Sequence, residues 1–322
     1  MNTVTLQVQI REKIRLDKYL SDQLTDISRT RIQQQIKSGN VTVNGKPVKA
    51  SYQLEGGEEI YVVLIDSQPE PAIVIPQQMD LDIIYEDSAL AVINKPAGLV
   101  VHPGKGNRED TLANGLAYHF RNLSDVNGVL RPGLIHRLDK NTTGLIIIAK
   151  TNQAHLKLAR LFEQREIEKT YLGVTWGEWD SRTGRIEIGI RRQRSDPTRF
   201  EASNDGKPAI TDYEVIDTFR YLSYVQFFPR TGRTHQIRVH SAHSGFAIFA
   251  DTVYNGGVNR TKGYLPEVRK FLQGLLNKIN RQALHAFRIR FKHPNSGEDI
   301  QFEAPLPPDM TYLLSEIKRF NG

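Results

Sequence analysis

Pro69, Pro71 and Pro76 fall in one stretch, Asp66 to Met79, that carries no periodic apolar pattern. Proline fixes φ and donates no backbone hydrogen bond, so the stretch reads as a semi-stiff linker rather than a packed element. It divides the 322-residue chain into a small first unit (1–66), a linker (67–80) and a large second unit (81–322). The hydrophobic share of 39% is enough for a sizeable core. There is no cysteine, which removes disulfides, thiolate metal sites and a Cys nucleophile together. The apolar run Leu145 to Ala149 is far below the ~18 residues needed to span a bilayer. The start, Met1 to Ile14, alternates and carries charge, unlike a signal peptide. A cytoplasmic protein is expected, without a membrane partner.

In the first unit, Leu16, Tyr19, Leu20 and Leu24 recur at helical spacing, and Ser28 is placed to cap a second helix, Arg29 to Lys37. Val41 to Val43 alternates as a strand. Asn44-Gly45 suits a type I′ hairpin turn, and Gly56-Gly57 leads into a strand from Ile60 to Ile65. This helix–helix–hairpin looks too small for a deep core of its own. In the second unit, strands are expected at 83–85, 90–94, 145–150, 170–175, 184–190, 209–216, 221–228 and 287–291. Helices are expected at 111–120, 152–163, 234–243 and 267–280. Hairpin spacing dominates and regular βαβ alternation is absent, so the fold class is α+β with a mainly antiparallel sheet.

The net charge of +7 matters less than its distribution. Ser28 to Lys49 and Arg220 to Ala250 contain no acid, and Arg260 to Lys292 sets nine Lys and Arg against Glu267 alone. Three basic stretches within foldable sequence point to a polyanionic partner. Asp139 lies between Arg137 and Lys140, just before a buried strand. By itself it is either a turn former or a carboxylate that neighbouring cations keep ionised. Pro229 to His240 carries Arg230, Arg233 and Arg238. If helical from Thr234, it places Thr234 and Arg238 on one face, either an anion site or merely a basic surface. The histidines 102, 136, 235, 240 and 243 form no HExxH pattern, so no metal site is expected. A two-carboxylate glycosidase is equally unsupported, because only Asp139 has a suggestive setting. The loop from His102 to Asn107 lacks P-loop spacing and reads as a cleft rim.

His136-Arg137-Leu138-Asp139 followed by Thr142-Thr143-Gly144-Leu145 resembles the signature of the RluA/RluD family of RNA pseudouridine synthases. Four further segments match in order: Asn94 to Gly98 leading to Val101 to Gly104, then Lys169-Thr170-Tyr171, then Gly232 to His240, and finally Gln282 to Ala286. The first unit is similar to an S4 RNA-binding domain through Arg15 to Leu20, Ser28-Arg29 and Gly39 to Gly45, which favours the RluD or RluC type over the shorter RluA type. Two stretches depart from the family pattern. Gly245-Phe246-Ala247-Ile248 replaces Gly-His-Pro-Ile, and Ala250-Asp251 replaces Gly-Asp, so packing and backbone geometry there are expected to differ.

The resemblance implies conversion of uridine to pseudouridine without a cofactor, in large-subunit ribosomal RNA or a pre-50S particle, with the helix 69 loop first choice. It assigns the catalytic carboxylate to Asp139, its cationic partner to Arg238, and uracil stacking to Tyr171. Leu284 is expected to pack beside the aspartate, and Arg137 to fill the space of the flipped nucleotide, with His136 and Arg233 also on the substrate. Arg29, Arg31 and Lys37 would hold phosphates without reading sequence. Nothing in the sequence calls for more than a monomer. The alternatives are a non-catalytic RNA-binding or ribosome-assembly factor, and a synthase acting on other rRNA or tRNA uridines. A metal hydrolase stands third.

Overall fold

The computed structural model describes residues 2–10, 12–24, 27, 29–64, 74–104 and 107–321, without the side chains of Asn2, Thr30, Arg31, Gln34, Leu64 and Asn321. The chain forms two compact units, Met1–Ala72 and Ile73–Gly322. Ser28, Ile65, Pro69, Pro71, Lys105 and Gly106 lie outside the described residues, as does the Arg31 side chain.

The first unit runs β1 (Asn2–Gln7), β2 (Ile14–Arg15), α1 (Leu16–Gln23), α2 (Arg29–Lys37), β3 (Val41–Val43), β4 (Lys46–Pro47), β5 (Gln53–Leu54) and β6 (Glu59–Leu64). Its main sheet has the order β1-β6-β3-β4. Asn44 and Gly45 take φ of 51° and 75°, the positive values that a two-residue primed turn requires. Contrary to expectation, this unit has a core of its own. Leu16, Leu20, Leu54 and Ile60 are fully buried beside Ile32, Ile36, Val41 and Val62. β1, for which no strand is expected from the sequence, extends the sheet by pairing with β6 along its whole length. Asp17, fully buried, pins α1 to α2 by accepting from Arg15, Arg29 (3.0 Å) and Gln33. These donors, Arg15 foremost, hold its carboxyl well below the usual range.

The second unit runs β7 (Ile83–Glu86), β8 (Leu90–Lys95), α3 (Leu112–His119), β9 (Thr143–Ala149), α4 (Asn152–Gln164), β10 (Glu168–Trp176), β11 (Thr183–Glu187), β12 (Ile190–Arg192), β13 (Phe200–Ala202), β14 (Ile210–Thr218), β15 (Leu222–Pro229), α5 (Gln236–His243), a 3-10 turn (Val258–Thr261), α6 (Pro266–Lys278), β16 (Leu284–Lys292), β17 (Asp299–Glu303) and α7 (Pro308–Asn321). A nine-stranded sheet has the order β11-β14-β15-β10-β16-β9-β8-β7, with β17 added on β16. Every pairing in it is antiparallel except β9 with β16. β9 is buried at all seven positions, which explains its unbroken apolar run. Ile146 and Ile148 face the cluster under α3, while Leu145 and Ile147 face the one under α4.

The expected linker is in part packed. Val74 is buried in the second unit, Asn114 Nδ2 donates to the Ile75 carbonyl, and Met79 lies against Gly115. The helix expected from Thr234 begins at Gln236, since His235 sits at its N-cap with φ of 57°. Thr234 is therefore not one helical turn below Arg238. The expected strand 184–190 is broken into β11 and β12.

Candidate active site

Parallel strands start at the same end, so the segments that precede them meet there. β9 and β16 register at Thr143↔His285 and Ala286↔Gly144. This brings the loop containing Asp139 beside Leu284. β10, antiparallel to β16, delivers Tyr171 opposite Ala286, and β15 places Phe227 across from Tyr171 before turning into the 230–235 loop. α5 follows that loop and carries Arg238. Gln236 fixes the start of α5. Its carbonyl oxygen accepts from Thr231 Oγ1 and the Arg233 N–H, and its amide donates to the Ile210 carbonyl and Thr211 Oγ1. The result is a cleft lined by Arg137, Asp139, Tyr171, Arg233, Arg238 and Leu284 among others.

Arg238 Nη1 donates to Asp139 Oδ2 at 2.9 Å. Its other edge is bidentate on Asp251, with Nε to Oδ2 at 2.6 Å and Nη2 to Oδ1 at 2.9 Å. Burial alone would lower the guanidinium pKa, but Asp251 and then Asp139 outweigh it and hold the charge firmly. The Tyr254 ring lies 4.9 Å from the guanidinium carbon. The Asp139 side chain retains 18% of its exposure, so a ligand in the cleft can reach it. His235 Nε2 is 3.8 Å from Asp139 Oδ1. The Tyr254 hydroxyl accepts from the Phe200 N–H and shares a hydrogen bond of 2.7 Å with His235 Nδ1, which fixes the imidazole ring with Nε2 toward Asp139. Burial lowers the His235 pKa against the opposing charge of Asp139.

The loop carrying Asp139 is anchored through its next three residues. Lys95, fully buried, donates to the carbonyls of Pro96, Leu99 and Lys140. Burial brings its ammonium down to about 7, while Asp139 opposes the shift. Arg281, paired with Asp309, donates to the Asn141 carbonyl, and Gln282 Nε2 donates to Thr142 Oγ1. Gly144 then closes the loop at φ of 109°, where a Cβ would stand 2.2 Å from the Ala286 carbonyl oxygen. No side chain fits there.

Tyr171 lies in the cleft wall, and burial, with Asp139 second, raises its hydroxyl pKa. Leu284 is buried beside it. Arg137 is exposed, and Arg233 gives its Nε to the Pro208 carbonyl. His136 also lines the cleft, but its Nε2 accepts from the Ile147 N–H, and burial drops its pKa to about 3. It is thus a neutral brace of β9. In the first unit, Arg29 is engaged with Asp17 and Lys37 is exposed. Sequence reasoning gave no role to Asp251, Lys95 or Arg281. A signal was present for two of them, since Lys95 lies in the Asn94 to Gly98 segment and Asp251 in a noted departure. That departure has a physical counterpart: Ala250 adopts φ of 62°, a conformation glycine takes without strain. Phe246 stacks on Trp179 at 4.4 Å. Among the described residues no cluster of His, Asp and Glu could hold a metal ion, and no helix is long and apolar enough to cross a membrane.

The RNA pseudouridylate synthase family pattern matches residues 89–243, which include the Asp139 loop, Tyr171 and Arg238, and the S4 domain pattern matches residues 14–60. An RNA pseudouridine synthase of Bacillus subtilis (strain 168) is 39% identical over 323 residues, covering 100% of both chains. Ribosomal large subunit pseudouridine synthase D of Neisseria meningitidis serogroup B is 42% identical, over 94% of this chain and 79% of that one. Among solved structures, human RNA pseudouridylate synthase domain containing 4 superposes with a TM-score of 0.57 at 25% identity, over 73% of this chain and 92% of that one. The chain belongs to the RNA pseudouridine synthase family.

Proposed function

We propose that this protein isomerises uridines in large-subunit ribosomal RNA, with the helix 69 loop as the principal target, and that Asp139 is its essential carboxylate. The observation that carries the reading is the Arg238–Asp139 pair at the floor of a cleft walled by Tyr171 and Leu284. The relative from Neisseria meningitidis, named for the large ribosomal subunit, supports the choice of RNA.

The reaction moves C1′ from N1 to C5 of the same uracil. The N1–C1′ bond breaks, the C5–C1′ bond forms, the C5 proton leaves to solvent and N1 takes up a proton. Positive character develops on the ribose as the first bond loosens, so one ionised carboxylate beside C1′ lowers the barrier. Arg238 holds Asp139 through a direct ion pair and aims it, and Tyr171 offers a flat face for the uracil. Arg137, exposed at the rim, is placed to occupy the stack that the nucleotide vacates.

Tritium release from RNA carrying 5-tritiated uridine tests the proposal. Asp139→Asn keeps shape and removes charge, and should reduce release by roughly 10³-fold or more. Substantial release by that variant would show that Asp139 is not the essential carboxylate, and RNA binding without any release by the wild type would place the protein among non-catalytic RNA-binding factors.

A further inference from the structure

Lys169 is a cation of the cleft to which the described structure gives no acceptor. It precedes Tyr171 on β10 and lines the cleft with His136, Phe162 and Pro229. It is partly buried, its ammonium lies 5.8 Å from the Phe162 ring centroid, and no hydrogen bond or ion pair joins it to any described residue. Lys95 makes the contrast. Also shielded from water, it gives its three donors to three carbonyls. Burial brings the Lys169 ammonium down to about 8, as expected of a cation that has lost water and gained no anion.

The rest of the cleft does not supply that anion. Asp139 is the only carboxylate among its described lining residues, and Arg238 holds it. His136 is neutral. Arg137 has no partner among the described residues, and Arg233 meets only a carbonyl with its side chain. Three cations thus face one carboxylate that already has its guanidinium. A uracil edge brings neutral carbonyls and leaves this imbalance in place, whereas a phosphodiester removes it.

We infer that Lys169 binds a backbone phosphate of the substrate RNA, at a linkage adjoining the nucleotide that enters the cleft. The inference rests on the proposed function only in taking RNA as the occupant of this cleft.

The test uses the full-length protein and a helix 69 stem-loop in which each linkage near the target uridine is replaced singly by a neutral methylphosphonate. One linkage should weaken wild-type binding about tenfold. Lys169→Met should weaken binding to the unmodified RNA by a similar factor and show no further loss with that one methylphosphonate. The slope of log Kd against log salt should fall by roughly 0.7, the share of one contact to a single strand. Lys169→Arg should restore most of the affinity. The inference is overturned if no linkage affects the wild type, a measurement that needs no variant to fold. It is equally overturned if the losses from Lys169→Met and from every methylphosphonate multiply, or if the variant lowers kcat with an unchanged salt slope. Binding is read separately from tritium release, so absence of turnover by the wild type counts against the proposed function alone.

Discussion

Asp251 grips two nitrogens of Arg238 and thereby decides which one remains for Asp139. The three groups form a line from the protein interior to the cleft, because Asp251 is 1% exposed and the Asp139 side chain 18%. A guanidinium held on one side presents its remaining edge in a fixed direction, which a flexible ammonium does not.

Asp251→Asn therefore acts at a distance from any substrate. It leaves a buried guanidinium short of charge compensation, at about 3–5 kcal/mol in stability. It also frees Arg238 to rotate away from Asp139. Single-turnover tritium release should drop by roughly 10²-fold, with RNA affinity nearly unchanged. Arg238→Lys should show the same pattern. Wild-type rates in either variant would mean that the line of three does not orient the carboxylate.

Gly144→Ala meets the carbonyl of Ala286 head on, and backbone of a paired strand has nowhere to move. The positive φ adds strain. A loss of about 3 kcal/mol or more in urea denaturation is expected, together with loss of activity, since the loop carrying Asp139 is displaced. Gly39→Ala, with no atom near its missing Cβ, should lose only about 1 kcal/mol.

Acid stability follows from two neutral histidines. In the folded protein burial lowers His285 to about 4 and His136 to about 3, while the unfolded chain titrates near 6.5. Between those values the unfolded state binds more protons, so stability is fully present above pH 6.5 and is lost as pH falls toward the folded pKa values. Each contributes about 1.4 kcal/mol per pH unit in that window. Urea midpoints at pH 7.5, 6.5 and 5.5 should be flat over the first interval and fall over the second. His285→Gln should lessen that fall. A midpoint that holds steady down to pH 5.5 contradicts the burial of both rings.

The first unit separates stability from RNA affinity. Arg29 is bonded to buried Asp17, whereas Lys37 stands free at the end of α2. Lys37→Ala should weaken RNA binding and lower its salt dependence without moving the midpoint of unfolding. Arg29→Ala should lower both, because Asp17 then loses one of its donors. Equal effects of the two substitutions on unfolding would count against this division.

What the sequence revealed was local chemistry. The β9 run, the Asn44-Gly45 turn and the helices over 112–119 and 152–164 follow from periodicity and turn residues alone. The start of α5 was misplaced because a histidine in the left-handed region leaves no mark in composition. α7 was overlooked although Met310, Leu313 and Ile317 recur at helical spacing after Pro308. β17 alternates between exposed and half-buried positions, too faint a period to stand out. In the site, motif resemblance located Asp139, Tyr171 and Arg238. The supports of the loop escaped notice because their partners are remote in sequence: Lys95 meets Lys140, and Arg281 meets Asn141. Such pairs become visible only once the β9–β16 register is known.

The tie from Asp309 through Arg281 to the Asn141 carbonyl has a consequence for biosynthesis. A nascent chain that has delivered all the residues from Asp139 to Arg238 still lacks the counter-charge that secures this loop. The clamp can close only once Arg281 and Asp309 have emerged as well, so a chain grown as far as Arg238 does not yet hold the loop that carries Asp139.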